Sequence, residues 1–438
     1  MKSWIARVAL FLFVGLAIGV YRVGSWLRGK RKRPANHPFR VFLIGNFDSV
    51  GWLSAHAGPL VKCRSVDEVY VICDEPLPLE MKDVTFHCAD ADLRRRFGRG
   101  GARIIVLLQL ARKLRPQVYM GYHIMPNSPL ALIAAGLFGG KAIYQMTGGP
   151  IQVLDGGVQS ENPLLRATRT PSKLQESLLC QMVRCFDLVI VRGTKAKAFV
   201  TNRVAMPRCE VLTGAIDTAR FSPEDRSEKE WDLVLVSRLV ASFKGVERFI
   251  DVVGILKTLR PGIRATIVGD GPDRDLLMKR ATDRGVTGSI EFAGRCRDVR
   301  GILNRSKIFV LLSPSEGMSI AMLEAMSCAL PVVVTDVGEL GDALRVGAGG
   351  ELIEYGSAED AAKLLEALLS DEQKRSQMAA NARNRIVGSY SVEAVARLWE
   401  SMLSENPQVV PQAMDPDVFR KEIGFRGEPS STNGCSRG

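Results

Sequence analysis

The first strongly apolar segment runs from Trp4 to Val20 and is interrupted only by Arg7. Its length approaches the ~20 residues that cross a bilayer. Aromatic residues follow it, and then a basic run between Arg28 and Arg33, which favours a cytoplasmic location for what comes next. The pattern predicts a transmembrane or membrane-anchor helix within residues 1–33, with a helix lying in the interface as the alternative. A cleaved signal sequence is disfavoured because the basic flank is on the wrong side.

After a polar joint, short apolar runs of strand type alternate with longer stretches of helical pattern. Alternation of this kind predicts parallel βαβ units. In the first half the predicted strands are 40–44, 69–73, 84–88, 118–122, 142–146 and 188–191, and the predicted helices are 104–114, 130–138 and 173–185.

A second alternation begins after the polar stretch 222–230. Its predicted strands are 233–237, 265–268, 290–292, 308–312 and 332–335, and its helices are 246–259, 274–284, 319–328, 358–369 and 392–403. The fold class is therefore α/β, with two Rossmann-like doubly wound domains facing a cleft: 34–215, and 216–403, which includes the terminal helix. The tail 404–438 is rich in Pro, Gly and Ser and is predicted to be disordered.

The net charge of the chain indicates which kinds of partner it can bind. A formal net charge of +12 over 438 residues favours anionic partners such as phosphorylated substrates, an acidic membrane surface or nucleic acid. Nucleic acid is disfavoured because the basic patch between Arg94 and Arg115 lacks interleaved aromatic residues. Nine cysteines without CxxC pairs indicate free thiols in a reducing compartment.

The segment after the predicted strand 308–312 carries the most chemistry. Glu316 and Gly317 lie on a loop, and a helix begins near Ser319, a plausible N-cap. A helix start offers unpaired N–H groups and a positive dipole end to an anion. Glu324 then lies ~7.5 Å along the helix, within reach of the ribose of a nucleotide held at the helix start. Two surface glutamates beside an ordinary turn are the alternative reading.

Glu316 to Glu324 resembles the Glu-x7-Glu signature of the retaining family-4 glycosyltransferases of the GT-B fold. Four more stretches resemble that family in the same order: Thr213–Asp217 with Phe221, Ser237–Leu239 with Lys244, Val268–Pro272, and Phe292–Gly294. The similarity is good over most of 185–403 and looser over 40–184.

The resemblance implies roles for individual residues. Arg238 and Lys244 would bind the donor diphosphate in place of a divalent metal, so no metal and no cofactor are expected. Glu316 would hold the transferred sugar, Glu324 the ribose, and Gly317, Met318 and Ser319 the phosphates. The turn at Gly294 and Arg295 would meet the nucleotide base. Fixed cations have a physical reason here, because negative charge develops on the leaving diphosphate.

His123 follows the strand 118–122 and is the histidine that the resemblance places close to the transferred sugar. A core histidine with satisfied hydrogen bonds is the alternative. The loop Thr147–Pro150 is expected to shape the acceptor side or to be a plain turn. Two departures from the family are visible: Ser237 stands where glycine is common, and the stretch after the first strand, Asn46–Trp52, has a single glycine.

Asp90 and Asp92 suggest a different class, the metal-dependent transferases that use Asp-x-Asp. Three arginines follow directly, so a solvated acidic turn is favoured. The predicted function is transfer of a sugar from a nucleotide-diphosphate sugar to a lipid-linked or envelope-glycan acceptor. The expected location is the cytoplasmic face of the inner membrane, against an anionic surface. A GT-B epimerase and a non-catalytic membrane-complex module remain as alternatives.

Overall fold

The computed structural model describes residues 2–28, 38–47, 49–160, 162–206, 208–224, 228–240, 244–296, 298–344 and 349–403. The basic flank after Arg28 and the tail predicted to be disordered lie outside these ranges.

Seven parallel strands form the sheet of the first domain, in the order β3-β2-β1-β4-β5-β6-β7. They are Phe39–Ile44 (β1), Val66–Cys73 (β2), Val84–Cys88 (β3), Val118–Tyr122 (β4), Lys141–Met146 (β5), Leu188–Val191 (β6) and Cys209–Val211 (β7). Helices cover both faces, so the strands are apolar without alternation. In β1, Phe42 and Ile44 enter one helix-covered core, and Val41 and Leu43 enter the other.

The helices of this domain begin with the candidate anchor. They are Lys2–Arg28 (α1), Val50–Lys62 (α2), Ala91–Leu114 (α3), Asn127–Phe138 (α4), Pro163–Arg166 (α5), Lys173–Val183 (α6) and Thr194–Asn202 (α7). From Ser3 to Arg28, α1 is long and apolar enough to cross a membrane. In the structure it packs along α4 and α6.

Six parallel strands form the second sheet, in the order β10-β9-β8-β11-β12-β13. They are Trp231–Val236 (β8), Ala265–Val268 (β9), Ile290–Gly294 (β10), Ser306–Leu311 (β11), Val332–Thr335 (β12) and Gly350–Ile353 (β13). The helices after β8 are Val246–Leu259 (α8), Arg274–Asp283 (α9), Val299–Asn304 (α10), Ile320–Ser327 (α11), Leu340–Leu344 (α12), Ala358–Ser370 (α13), Glu372–Ser389 (α14) and Val392–Leu403 (α15).

The last helix corrects one prediction. The sequence assigned α15 to the second domain, but its apolar face packs against α2 of the first domain, where Trp399 is buried. The thiol of Cys63, just after α2, donates to the carbonyl of Ala396 at 3.2 Å. The chain passes from the first domain to the second near Ile216 and comes back to the first near Tyr390. The two crossings are adjacent, because the Ile216 N–H donates to the Tyr390 carbonyl at 2.8 Å. A repeating strand–helix pattern cannot show which of two cores a terminal helix joins.

The predicted fold class is confirmed: both sheets are parallel and both are covered by helices. The sequence reading missed the strands β7 and β13 and the helices α2, α5, α7, α10, α12 and α14. Helix α2 contains Pro59 and two glycines, residues of poor helix propensity. Ser49 caps it by accepting a hydrogen bond from the Trp52 N–H.

Candidate functional site

The strand order reverses once in each sheet, between β1 and β4 and between β8 and β11. In open α/β sheets, ligands bind outside the carboxyl ends of the strands at such reversals. His123 directly follows β4. In the second domain, Arg238 follows β8 and Glu316 follows β11. The predicted residues therefore lie at the topological switch points of the two sheets.

Lys244 and Glu316 form the central contact of the second-domain half. The Lys244 ammonium lies 2.9 and 3.0 Å from the two carboxylate oxygens of Glu316. The Ser313 hydroxyl donates to the same carboxylate at 3.1 Å, and only 9% of the Glu316 side chain is exposed. Gly245 makes this approach possible: at its φ of +64°, a Cβ would overlap the Leu312 carbonyl. The lysine and the glutamate predicted to act together are in direct contact.

Arg238 lies at the same edge of the sheet, two residues beyond β8, with an exposed side chain. No salt bridge joins it to a carboxylate in the described ranges. The loop after β9 supports its backbone: the Leu239 N–H donates to the Asp270 carbonyl at 3.0 Å. A Cβ on Gly269 or Gly271 would overlap the carbonyls of residues 237 and 239. The turn Gly269–Gly271 thus supports the backbone that carries Arg238.

Helix α11 presents its start to the same edge. The Ser319 hydroxyl accepts from the Met322 N–H at 3.2 Å, as predicted for an N-cap. Met318 is buried in the core of the second domain, so only its backbone can face a ligand. Gly317 borders the other domain: a Cβ there would lie 3.8 Å from the Thr147 carbonyl oxygen.

Glu324 lines a cavity of about 520 Å³ between the domains. Ser54 and Gly58 of α2 form one wall, and Ile320 and Arg220 lie on the other side. Burial raises the pKa of the Glu324 carboxyl to about 7, while Arg220 acts in the opposite direction. This carboxyl therefore changes its protonation state near neutral pH.

Gly294 and Arg295 stand apart from these residues. Gly294 ends β10 and Arg295 follows it. β10 is three strands from β11, or ~14 Å at the usual spacing. Gly294 has a φ of +69°, and its carbonyl accepts from the Gly269 N–H at 2.8 Å. The structure does not bring this turn into contact with Glu316. A role with the distant end of a nucleotide stays a prediction.

His123 is held at the cleft by the first domain. Its Nδ1 lies 2.8 Å from the Thr147 hydroxyl, and its backbone carbonyl accepts from the Ser128 hydroxyl at 2.7 Å. Its φ is +61°, a left-handed conformation that few residues other than glycine adopt. Because Thr147 also borders Gly317, one residue connects His123 to the loop that carries Glu316.

Around His123 the sequence reading missed four residues: Phe47, Trp52, His56 and Tyr122. Together with His123 they form what we call the aromatic cluster. Trp52 stacks on the His123 ring with centroids 6.0 Å apart and planes 15° from parallel. The cluster occupies the space after β1, where the sequence has a single glycine. Helix α2 contributes Trp52 and His56 to the cluster, and the hydrophobic pattern of the sequence did not predict this helix.

Arg192 follows β6 and is buried behind this cluster. One guanidinium nitrogen lies 3.1 Å from Nε2 of His56, and Nε has no hydrogen-bond partner. No carboxylate pairs with it in the parts of the chain that are described. Burial lowers the pKa of Arg192 to about 10, and burial together with the charge of Arg192 lowers the pKa of His56. A buried cation without a counter-charge is costly, which makes this a candidate functional residue.

The two domains also meet at the start of α7. The Glu339 carboxylate accepts from the Ala196 and Lys195 N–H groups at 2.9 and 3.2 Å. Asp342 accepts from the Thr194 N–H at 2.6 Å. Both acids belong to the second domain, so they cap a helix of the first.

The Asp90–Asp92 pair has a structural explanation. Asp90 caps α3 by accepting from the Leu93 N–H at 2.7 Å, and Asp92 forms an ion pair with Arg95 at 3.1 Å. Over the described residues, no three His, Cys, Asp or Glu side chains are grouped as a metal site would require.

The sequence of this chain resembles known glycosyltransferases, mostly over the second domain. Residues 217–385 match the family model of the glycosyl transferases group 1. The chain is 33% identical over 164 residues to the lipopolysaccharide core biosynthesis glycosyltransferase LpsE of Rhizobium meliloti (strain 1021), covering 37% of this chain and 47% of that protein. It is 27% identical over 243 residues to the mannosyltransferase LpsB of the same organism, covering 51% and 68%. The chain thus spans about half the length of LpsE.

Solved structures resemble more of the chain. Anabaena Alr3699/HepE in complex with UDP superposes with a TM-score of 0.64 at 17% identity, covering 84% of this chain and all of that one. WaaG, a glycosyltransferase involved in lipopolysaccharide biosynthesis, gives 0.63 at 16% identity over 84% of this chain. At such identities the likeness establishes the fold, which is GT-B.

Proposed function

We propose that the chain is a glycosyltransferase, because residues 217–385 match the family model of the glycosyl transferases group 1. It transfers a sugar, with retention of configuration, from a nucleotide-diphosphate sugar to an acceptor. The observation that carries this proposal is the contact of Lys244 with Glu316 at one switch point, joined through Thr147 to His123 at the other.

The donor binds in the second domain. Its diphosphate lies at the start of α11, where the helix dipole, Arg238 and Lys244 all favour negative charge. The two cations stabilise the charge that builds on the leaving diphosphate. An ionised Glu324 accepts hydrogen bonds from the two ribose hydroxyls, because a carboxylate is an acceptor only.

Glu316 orients the transferred sugar. Its carboxylate is held by Lys244 and Ser313, so it presents a fixed acceptor to a sugar hydroxyl. From the first domain, His123 reaches the same sugar, with its ring positioned by Thr147 and Trp52. Closure of the two domains around the sugar excludes water that would otherwise hydrolyse the donor.

The acceptor is lipid-linked or an envelope glycan, and the enzyme works at the cytoplasmic face of a membrane with an anionic surface. Two observations support this. The relatives LpsE and LpsB are named for lipopolysaccharide core biosynthesis. The helix α1 exposes large apolar side chains along its length.

A thermal-shift screen of uridine, guanosine and adenosine diphosphates and their sugars tests the donor. A ligand at one hundred times its dissociation constant should stabilise the fold by ~2.7 kcal/mol. No shift with any of them would favour a non-catalytic module. Epimerised donor formed without an acceptor would favour an epimerase.

Glu316→Gln tests the chemistry. We expect a folded protein that transfers sugar at least tens of times more slowly (roughly 2 kcal/mol), because the amide loses one acceptor oxygen and the charge held by Lys244. Initial transfer rates from radiolabelled donor measure the effect. Glu354→Gln, at an exposed position of the same domain, is the matched control. Wild-type rates in Glu316→Gln would remove Glu316 from the mechanism.

A further inference from the structure

Helix α1 has one face against the first domain. The side chains at Leu10, Val14, Ala17 and Tyr21 are buried there, at spacings of three and four residues that define a single stripe of a helix. The stripe covers α4, whose residues from Asn127 to Gly136 are almost all buried. Helix α1 therefore forms part of the hydrophobic core of the first domain.

Both ends of α1 are hydrogen-bonded to that same domain. Near its start, Arg7 donates to the carbonyl and hydroxyl oxygens of Thr170, each at 2.8 Å. Near its end, the Tyr21 hydroxyl donates to Asp187 at 2.8 Å, and Arg28 donates to the Gly136 carbonyl. A helix of 27 residues is ~40 Å long, so α1 lies lengthwise on the domain. A helix that keeps these contacts at both ends lies along the domain and does not cross a bilayer.

The packing of α1 on α4 is close. A Cβ on Gly24 would overlap the Gly136 carbonyl, and a Cβ on Gly136 would lie 2.8 Å from the Val20 carbonyl oxygen. Glycines that let helix backbones touch give contacts that larger residues would separate. This contact places the second half of α1 firmly on α4.

The opposite face, which we call the outer stripe, is apolar as well. Its members are exposed large hydrophobic residues: Trp4, Ile5, Val8, Leu12, Leu16, Val23, Trp26 and Leu27. Between Trp4 and Tyr21 the sole charge is Arg7, and Arg7 points inward to Thr170. Tryptophan stands near both ends and aliphatic residues lie between, an arrangement typical of helices at a lipid interface.

Basic residues border the outer stripe at its C-terminal end. A shallow cavity of about 360 Å³ lies there, lined by Tyr21, Arg22, Ser25, Trp26, Arg184 and Cys185. Arg22 comes from α1 and Arg184 from the end of α6. Two guanidinium groups beside a tryptophan suit a phosphate that is attached to an acyl chain.

We propose that α1 lies flat on the membrane while docked on the first domain, with the outer stripe in the acyl region. An anionic phospholipid headgroup occupies the cavity between Arg22 and Arg184. The attachment is on one leaflet, so the N-terminus and the catalytic domains face the same side. The proposal does not depend on sugar transfer.

Topology is tested with the full chain carrying a protease-cleavable tag at each terminus. In inverted vesicles from a bacterial host, protease should remove both tags, and in intact spheroplasts neither. Protection of the N-terminal tag in inverted vesicles, with cleavage in spheroplasts, would establish a spanning helix and overturn the proposal.

The headgroup site is tested by flotation of the purified full chain with vesicles of phosphatidylcholine, with and without phosphatidylglycerol. Arg22→Glu with Arg184→Glu should weaken binding to the anionic vesicles at least tenfold, since each basic residue near an anionic surface contributes separately. Lys279→Glu with Lys363→Glu, a matched charge change on exposed helices of the second domain, should bind as wild type.

Leu12→Ser with Leu16→Ser removes apolar area from the outer stripe without touching the docked face. Binding to both kinds of vesicle should fall, while the thermal midpoint and nucleotide affinity should not change. Arg22→Glu alone serves if the double charge reversal is unstable. Unchanged flotation of the charge variant would remove the headgroup site. Unchanged flotation of the Leu12 and Leu16 variant, or no flotation of the wild type, would overturn the proposal.

Discussion

The two halves of the cleft are lined by different kinds of side chain. The second-domain half contains fixed charges, with Lys244 against Glu316 and Arg238 nearby. The first-domain half is the aromatic cluster, behind which Arg192 is buried with no carboxylate paired to it among the described residues. A diphosphate requires cations at defined positions, whereas the faces of sugar rings pack well on aromatic surfaces. Under the proposed function, the second-domain half binds the diphosphate, and the first-domain half contacts the sugar and the acceptor.

The largest effect is expected for Lys244→Met. The substitution removes a cation from the diphosphate and leaves the buried Glu316 carboxylate without its partner, so kcat should fall about 100- to 1,000-fold. Steady-state kinetics against saturating donor measure it. Lys257→Met, on α8 of the same domain, is the control. A raised donor KM with kcat unchanged would mean that Lys244 acts in binding alone.

A smaller effect is expected for His123→Asn. Asparagine adopts the left-handed conformation more readily than most residues, so the substitution tests the imidazole rather than the backbone. We expect transfer to fall about 10- to 100-fold with nucleoside diphosphate affinity unchanged. Thr147→Val should share part of the loss, because its hydroxyl positions the ring. Equal weakening of nucleotide affinity would place His123 on the donor side and blur the contrast between the halves.

Glu324 predicts a pH dependence. Its pKa is raised to about 7, and the ionised form is the one that accepts from the ribose. Nucleoside diphosphate affinity should therefore rise about tenfold between pH 6 and pH 8. Calorimetric titration of wild type and Glu324→Gln separates this from titration of the phosphates, which affects both proteins equally. Because the pKa of Glu324 is raised in the folded state, the folded protein keeps a proton on this carboxyl that the unfolded chain has already lost. The free energy of unfolding should therefore fall as the pH rises from the ordinary pKa of a glutamate to about 7.

The smallest effect on the free protein is expected for Arg192→Met. Replacing a buried, uncompensated charge by an apolar side chain should leave the thermal midpoint unchanged or raise it. Activity should nevertheless fall several-fold, with acceptor KM changing more than donor KM. Destabilisation of the free protein, with kinetics unaffected, would make Arg192 a structural residue.

The donor half could be predicted because its residues occupy short, contiguous loops after strands. Glu316, Gly317, Ser319 and Glu324 lie within nine positions, and the pattern that reveals the strand also places the loop. Lys244 was matched to the same edge, and its direct contact with Glu316 agrees with that placement. The roles of these residues in transfer stay predictions until the variants are measured.

The other half was largely hidden because tertiary packing assembles it. Trp52 and His56 lie on α2, whose glycines and proline weakened the helical pattern in the sequence. Arg192 is a candidate because it is buried, and burial cannot be read from the spacing of residues along the chain. Placement of α15 on the first domain was missed for a related reason: an amphipathic stripe indicates that a helix packs, but not against which core.

The junction at α7 has a consequence for the opening of the cleft. Gly193 stands at the N-cap of α7 and offers no side chain, so its first amides are satisfied by Glu339 and Asp342 of the other domain. If the domains separate, as release of nucleotide would require under the proposed function, those amides turn to water and the first turn of α7 frays. Hydrogen exchange at Lys195 and Ala196 would then report each opening of the enzyme, so that a helix distant from the chemistry records its turnover.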